Sequence, residues 1–232
     1  MITFVTSRGG SLASPYTIPS VACQAGDLIL IHFEAYTNIG VTSYPAGFFL
    51  VMGYNSSNIS HYLYAKIATS SEPSGYTFEI NPGGTIYYEI FCFRGVDQNN
   101  PIISTRRDSG YGSIINISKL SLSQGTMVMV FFAKSKVGGI ITSLNNWIIN
   151  WSDGYRSVYR QVYGGATETE NPMAFSNSAS DEYWDCFLIE LKDANPIIYD
   201  TIFINWLLTD EPGSRLWVKI NGEWKPAKVT II

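Results

Sequence analysis

Two strongly apolar segments of the sequence each begin at a glycine: GDLILIHFEA at Gly26 and GTMVMVFFAK at Gly125. A short continuous apolar run is typical of a strand that is buried on both faces, because a strand with one wet face would alternate apolar and polar residues. In the first segment, two leucines share a face with His32 and Glu34. We therefore expect this strand to be buried on both faces at its start and more exposed at its end.

The segments after these two strands follow one another in the same order. An aromatic residue, Phe48 or Trp147, lies at the same distance after each glycine. Then come HYLYAKI or RSVYRQV, a turn with proline, a strand with Cys-Phe, and finally NPII. The shared order predicts an internal duplication with halves at 23–105 and 120–201. Two β-rich stretches can also match by chance, so that alternative stays open.

Nearly every segment favours a strand, since Val, Ile, Tyr, Phe, Trp and Thr occur in short runs bounded by turn residues. Many short strands with regular turns indicate an all-β sandwich or barrel. A unit of about five strands would leave one hydrophobic face uncovered, and two units packed face to face would bury both. We predict an all-β, double-sheet, jelly-roll-like β-sandwich over residues 1–193, followed by a C-terminal extension at 194–232.

The extension ends in a predicted hairpin. Asn-Gly at 221–222 lies between two alternating runs, which is a strong signal for a two-residue type I′ turn. In such a hairpin Ile220 pairs with Glu223. A lone hairpin is marginally stable in water, so we expect it to dock on the sandwich, on another subunit or on another protein. The residues assigned to this assembly hairpin are Trp217, Lys219 and Trp224.

The charge pattern excludes several classes of partner. Only 15% of residues are charged, against about a quarter in ordinary soluble proteins, and the net charge is −4. A broad phosphate-binding surface needs a basic patch, so we predict no nucleic-acid partner. Arg106 and Arg107 are interpreted as a solvated turn. The apolar runs are too short to span a bilayer and the first residues lack a secretory pattern, so we expect no membrane insertion.

The sequence predicts no metal site and no cofactor. Its only histidines are His32 and His61, and its three cysteines have no ligand spacing. We interpret Cys23, Cys92 and Cys186 as buried, reduced thiols of a protein made in a cytoplasm.

No catalytic motif stands out, and we predict that the protein is not an enzyme. Glycoside cleavage would need two carboxyl groups about 5–10 Å apart across a groove. The segment SASDEYWD offers Asp181, Glu182 and Asp185, and ATETENP offers Glu168 and Glu170. An acidic rim for calcium or sugar is one interpretation. Solvated loop charge is the favoured one, because polar residues are expected just before a strand.

One loop is the candidate contact for a glycan or a partner protein. Tyrosine and tryptophan combine an apolar body with a polar edge, which suits a half-wet contact. The segment NWSDGYRSVYR concentrates such side chains beside a turn. Core packing and edge covering remain the more ordinary use of its alternating aromatic residues. The assigned contact residues are Trp151, Asp153, Tyr155 and Arg156.

Several segments resemble a known structural module. IPSVACQAGDLILI, YAKIATSSEPSGYTF and FRGVDQNNPI are similar to a β-sandwich module of tailed-bacteriophage virion proteins, found in tail, fibre and head-associated contexts. The C-terminal WVKINGEWKPAKV resembles the Trp-rich VKxNGxWK hairpins that end many phage structural proteins. These motifs are structural turns and hairpins, and they bring no catalytic or ligand residue with them.

The resemblance implies a non-enzymatic virion protein that acts in particle assembly or attachment and has other virion proteins as partners. Low charge and open sheet edges favour a homo-oligomer. Many weak contacts on one particle would then give high avidity. A host-surface carbohydrate-binding adhesin is the alternative, and a glycan-degrading enzyme is a third possibility.

Overall fold

The computed structural model describes residues 1–117, 126–134, 141–143, 148–152, 157–162, 173–177, 183–195, 199–201, 216–220 and 223–227. The strands are β1 Thr3–Leu12, β2 Tyr16–Pro19, β3 Leu28–Ala35, β4 Gly40–Ser43, β5 Phe49–Asn55, β6 Ser60–Ile67, β7 Gly75–Asn81, β8 Ile86–Arg94, β9 Ile102–Tyr111, β10 Ile114–Ile117, β11 Thr126–Lys134, β12 Ile141–Ser143, β13 Ile148–Ser152, β14 Ser157–Val162, β15 Met173–Asn177, β16 Tyr183–Lys192, β17 Tyr199–Thr201, β18 Leu216–Ile220 and β19 Glu223–Ala227. The all-β prediction is confirmed. The described part of the chain contains no apolar helix of bilayer-spanning length.

The first sixteen strands form two units with the same strand order. In unit 1, β1–β8 form a five-stranded sheet β1-β8-β3-β6-β5 and a three-stranded sheet β2-β7-β4. In unit 2, β9–β16 form the sheets β9-β16-β11-β14-β13 and β10-β15-β12. Adding eight to each strand number of unit 1 therefore gives the order of unit 2.

The repeat differs in extent from the predicted one. Two strands precede each expected start, β1 and β2 before residue 23 and β9 and β10 before residue 120. Each unit therefore has eight strands in two sheets rather than about five strands in one. The jelly-roll topology stays a prediction. The eight strands of each unit divide five and three between the two sheets, and the fifth strand belongs to the larger sheet.

Strand β3 contacts apolar layers on both of its faces. Ile31 and Phe33 pack in one cluster with Phe78 of the smaller sheet. Leu30 packs in another cluster with Met129 of β11, which belongs to unit 2. The uninterrupted apolar run thus follows from burial on both faces, as in other central strands with covered faces.

The expectation that β3 becomes exposed at its end is wrong. His32 and Glu34 are both fully buried. The physical reason is that the five-stranded sheet of unit 2 packs on this face, where the ring of Phe131 on β11 lies 5.2 Å from that of His32.

The two five-stranded sheets share one apolar core. Burying a Leu, Met or Phe side chain contributes roughly 1.5–3 kcal/mol, so a cluster of this size holds the units together firmly. The cluster consists of Ile2, Leu28, Leu30, Leu63, Ala65, Phe91, Phe93, Val96, Met127, Met129, Phe131, Phe187, Ile189 and Leu191.

The Gly-Asp turn before β3 is tied to the end of β8. Gly26 has a φ of 89°, a conformation that side chains disfavour, and it leads into the buried Asp27. The Asp27 carboxylate accepts hydrogen bonds from Arg94 Nε at 3.0 Å and Nη2 at 2.9 Å. Although burial acts in the opposite direction, the hydrogen bond from Arg94 holds the pKa of Asp27 below its ordinary value. The bidentate pair thereby fixes the start of the central strand.

The C-terminal extension forms a three-stranded sheet in the order β17-β18-β19. The register pairs Lys219 with Trp224 and Ile220 with Glu223, as the hairpin prediction requires. Trp217 pairs with Pro226. The Asn-Gly turn itself and the side chains of this sheet lie outside the described residues.

We expect Leu30→Ala to destabilise the whole protein by about 2–5 kcal/mol, because it opens a cavity in the core that both units share. Urea unfolding should remain a single transition with a lowered midpoint. Leu50→Ala is the control, since Leu50 is 47% exposed and its truncation should change stability by no more than about 0.5 kcal/mol. Equal effects of the two substitutions would contradict the shared core.

Candidate functional site: a buried histidine–carboxylate chain below a tyrosine-lined cleft

Both histidines of the sequence lie in the interface between the two units. His32 Nδ1 lies 2.6 Å from Oε2 of Glu89, its cross-strand neighbour on β8. His32 Nε2 lies 2.5 Å from Nε2 of His61 on β6. His61 Nδ1 lies 3.1 Å from Oδ1 of Asp185 on β16 of unit 2. The four buried side chains therefore form one hydrogen-bonded chain that crosses from unit 1 to unit 2.

The chain must hold one proton more than two neutral imidazoles provide. Its three hydrogen bonds need three hydrogens, and each neutral imidazole carries one ring N–H. His61 donates Nδ1–H to Asp185, so its Nε2 accepts a hydrogen bond from Nε2–H of His32. The additional proton then lies between Nδ1 of His32 and the carboxyl group of Glu89.

The surroundings of His61 keep its ring neutral. The ring stacks on Phe187 with centroids 3.7 Å apart and an interplanar angle of 2°. Burial lowers the pKa of His61 to about 4, although the hydrogen bond to Asp185 acts in the opposite direction. A neutral His61 agrees with the single ring N–H that the hydrogen-bond pattern assigns to it.

Arg107 on β9 continues the chain to the surface. Its Nε donates to Oδ2 of Asp185 at 2.8 Å, and its Nη2 lies 2.6 Å from the same oxygen. The guanidinium carbon lies 3.4 Å from the ring centroid of Tyr54, which gives a close cation–π contact. Arg107 offsets the charge of Asp185, and the proton shared with His32 offsets that of Glu89. The buried chain is therefore close to electrically neutral, which buried ionisable groups require.

A cleft of about 380 Å³ opens above Arg107 and Asp185. Unit 1 supplies one wall with Tyr54 and the β5–β6 turn at 56–59, and unit 2 supplies the other wall from β9 and β16. On that second wall Tyr111 and Tyr183 are cross-strand partners whose rings meet edge to face at 4.8 Å. More than half of each side chain is exposed, 56% and 57%.

The wall from unit 2 depends on a glycine. A Cβ atom at Gly110 would lie 2.5 Å from Cζ2 of Trp184, so only glycine lets the indole lie against β9. The Trp184 side chain is buried, and its indole N–H has no hydrogen-bond acceptor among the described residues. Both residues line the cleft.

The charged side chains of the cleft are already paired. The acidic member at the cleft, Asp185, is buried and already hydrogen-bonded by His61 and Arg107. No group of three or more His, Cys, Asp or Glu side chains that could hold a metal ion occurs among the described residues. The cleft instead offers aromatic faces, hydroxyl groups and an ion pair.

The structure corrects two interpretations of charged residues. Asp185 is not solvated loop charge, because it lies within β16 and faces the other unit. Arg106 and Arg107 do not form a turn, because both lie within β9. In each case the polar context along the sequence suggested a loop, whereas pairing between β9 and β16 placed the residues in a sheet.

Three of the predicted contact residues and four of the acidic residues considered for an acidic rim lie outside the described part of the chain. These are Asp153, Tyr155, Arg156, Glu168, Glu170, Asp181 and Glu182. Trp151 belongs to β13, where it pairs with Val158, but its side chain also lies outside the described residues. The same holds for the side chains of Trp217, Lys219 and Trp224.

The cysteine prediction holds for two of the three thiols. Cys92 and Cys186 are free and buried, but Cys23 is only partly buried, because it lies in the loop before β3. The Cys92 thiol lies beside both Cys23 and the Asp27 carboxylate, 3.5 Å from Oδ2. Its hydrogen bond to Cys23 lowers the pKa of Cys23 and raises the pKa of Cys92. Burial raises the pKa of Cys186.

The sequence contains a local signal for the buried chain. His32 and Glu89 each interrupt an apolar strand, LILIHFEA and IYYEIFCF. A chargeable residue inside a strand that is covered on both faces must find a partner, because an isolated buried charge is very costly.

No protein-family model, curated protein or solved structure matches the chain.

We expect the wild-type protein to lose about 2 kcal/mol of stability between pH 7 and pH 5 through His61. The ring has a pKa of about 4 when folded and an ordinary value of 6.5 when unfolded. The unfolded state therefore takes up a proton first as the pH falls, and stability decreases.

The measurement is urea unfolding at both pH values. His61→Gln keeps a donor and an acceptor but cannot titrate, so this variant should lose about 2 kcal/mol less than the wild type over the same interval. Equal losses in the two proteins would contradict a buried, neutral His61. Glu89, His32, Asp185 and Arg107 are the charged or titratable groups of the same chain and remain in the variant.

We expect iodoacetamide to alkylate Cys23 well before Cys92 or Cys186 in the native protein, because the thiolate is the reactive form. Peptide mass spectrometry at timed intervals measures the three sites separately. In urea the three cysteines should react at similar rates. Native labelling of Cys186 as fast as that of Cys23 would contradict the burial of β16.

Proposed function

We propose that the protein is a non-enzymatic structural protein of a tailed-bacteriophage particle, active in assembly and attachment. The sequence resemblance of its turns and its terminal hairpin supports this proposal. It would be made in the host cytoplasm and would have other virion proteins and further copies of itself as partners.

The observation that carries the proposal is the exposed apolar surface of strand β5, at the edge of one of the two packed five-stranded sheets. β5 is an end strand of its five-stranded sheet in the described part of the chain. Phe49 and Leu50 on this strand are 44% and 47% exposed. An end strand with exposed apolar side chains is a surface that recruits a partner, because both backbone groups and apolar area can be covered there.

A second candidate function, binding of a host-surface carbohydrate, is favoured by the cleft between the units. Exposed tyrosine rings beside a buried ion pair suit a ligand that has both apolar faces and hydrated polar groups. Attachment and assembly are compatible roles for one virion protein, since the exposed Phe49 and Leu50 lie at the start of β5 and Tyr54, which lines the cleft, lies near its end.

Leu50→Glu should weaken self-association or incorporation into particles without unfolding the chain, because it places a charge on the apolar part of the β5 edge. Light scattering of the purified protein measures association, and sedimentation of particles followed by immunoblotting measures incorporation. Ser70→Glu is the matched control, since Ser70 is exposed and does not belong to β5.

The proposed function fails if the wild-type protein does not co-sediment with particles from a lysate in which it is produced. Normal incorporation of the Leu50→Glu variant would remove β5 as the contact surface.

A further inference from the structure

We propose that the cleft between the two units binds an uncharged saccharide of a surface glycan. This inference rests on the attachment role proposed above and names the ligand class of that role. The site differs from the contact loop that the sequence predicted, because its walls are β9, β16, the end of β5 and the β5–β6 turn.

The position of the cleft supports a binding site. Small-molecule sites occur preferentially where two domains meet, and a volume of about 380 Å³ lies within their usual range of about 300–1,000 Å³. The two walls come from different units that share one apolar core, so the cleft is held open by the packing of the sheets. A ligand would therefore meet a preformed surface, which lowers the entropy lost on binding.

The floor of the cleft is polar, and its side chains are held in place by their neighbours. Asp185 is buried, and its two oxygens are oriented by His61 on one side and Arg107 on the other. The two contacts with Asp185 use two of the five N–H donors of the guanidinium, whose side chain is 33% exposed. A guanidinium held by Asp185 below and Tyr54 at its face can donate to ligand hydroxyl groups without searching many rotamers.

The wall of unit 2 offers aromatic rings whose apolar faces and polar edges match those of a sugar. The C–H face of a pyranose ring is apolar, while its hydroxyl groups need hydrogen-bond partners. Tyr111 and Tyr183 present exposed rings with polar edges, and such rings give contact area at a low entropy cost. Ser57 and Asn58 in the opposite turn add short polar side chains.

The charge of the cleft favours an uncharged ligand. Its described ionisable side chains other than tyrosine are Arg107 and Asp185, which carry opposite charges and contact each other. An acidic saccharide would find no net positive charge to replace its hydration, since the guanidinium is already paired with a carboxylate. A peptide segment of another virion protein could also cover tyrosine rings, and that occupant is an outcome of the test below.

The experiment uses the purified full chain, tetramerised on a labelled carrier and applied to an array of uncharged and acidic glycans. The best hit is then titrated as a monovalent methyl glycoside by ligand-observed NMR. We expect binding to uncharged glycans. Tyr183→Ala should weaken binding at least about tenfold, and Tyr183→Phe by no more than about threefold, because the ring remains.

Two further variants keep the test clear. Ser57→Trp replaces one short wall side chain by an indole that fills the cleft from an exposed turn position, and it should abolish binding while the tyrosine pair and Arg107 remain. Tyr44→Ala removes a tyrosine that is 46% exposed but does not line the cleft, and should leave binding unchanged. Thermal unfolding of each variant identifies any that fail to fold, and Ser57→Trp then decides in place of Tyr183→Ala.

The inference is overturned if no glycan binds at high valency, if only acidic glycans bind, or if Ser57→Trp binds as well as the wild type. Binding to peptides from particle proteins that Ser57→Trp abolishes, with no glycan bound, would also overturn it. Because these measurements use the free protein, they are independent of co-sedimentation with particles. Failure here with normal incorporation rejects the saccharide site alone, and the reverse pattern rejects the virion role alone.

Discussion

The apolar contact between the two five-stranded sheets is the interaction on which the other features depend. It buries the second face of β3 and β11, and so explains why both strands are apolar at nearly every position. It also brings β6 of unit 1 beside β16 of unit 2, which makes the contact between His61 and Asp185. The cleft exists only because the edges of these packed sheets end in a turn on one side and a pair of tyrosines on the other.

The histidine–carboxylate chain places polar groups in the middle of that contact. Replacing a buried ionic network by apolar side chains is often neutral or stabilising, so the chain is weak evidence for stability. What it does specify is alignment, because three consecutive hydrogen bonds can form only when β3, β6, β8 and β16 have one relative position. An apolar contact alone is non-directional and would tolerate sliding.

The fold could be predicted from the sequence where the signal is local. Period-two alternation and turn residues indicated strands throughout, and Asn-Gly fixed the register of β18 and β19. The starts of the units were missed because β1, with its segment TSRGGS, is polar and lacks the pattern of a core strand. The polar chain was missed because His61 and Asp185 are 124 residues apart, and only sheet packing brings them together. Asp185 in particular follows a polar segment that points to a loop.

The repeated strand order places a short connecting segment between the fifth and sixth strands of each unit. In unit 1 that connection is the turn at 56–59, which forms a wall of the cleft. In unit 2 it is the segment at 153–156 between β13 and β14, and this segment contains Asp153, Tyr155 and Arg156. The loop singled out by its aromatic composition and the turn singled out by geometry are therefore topological counterparts. The two connecting segments differ in composition, with Ser and Asn residues in one and Asp, Tyr and Arg residues in the other.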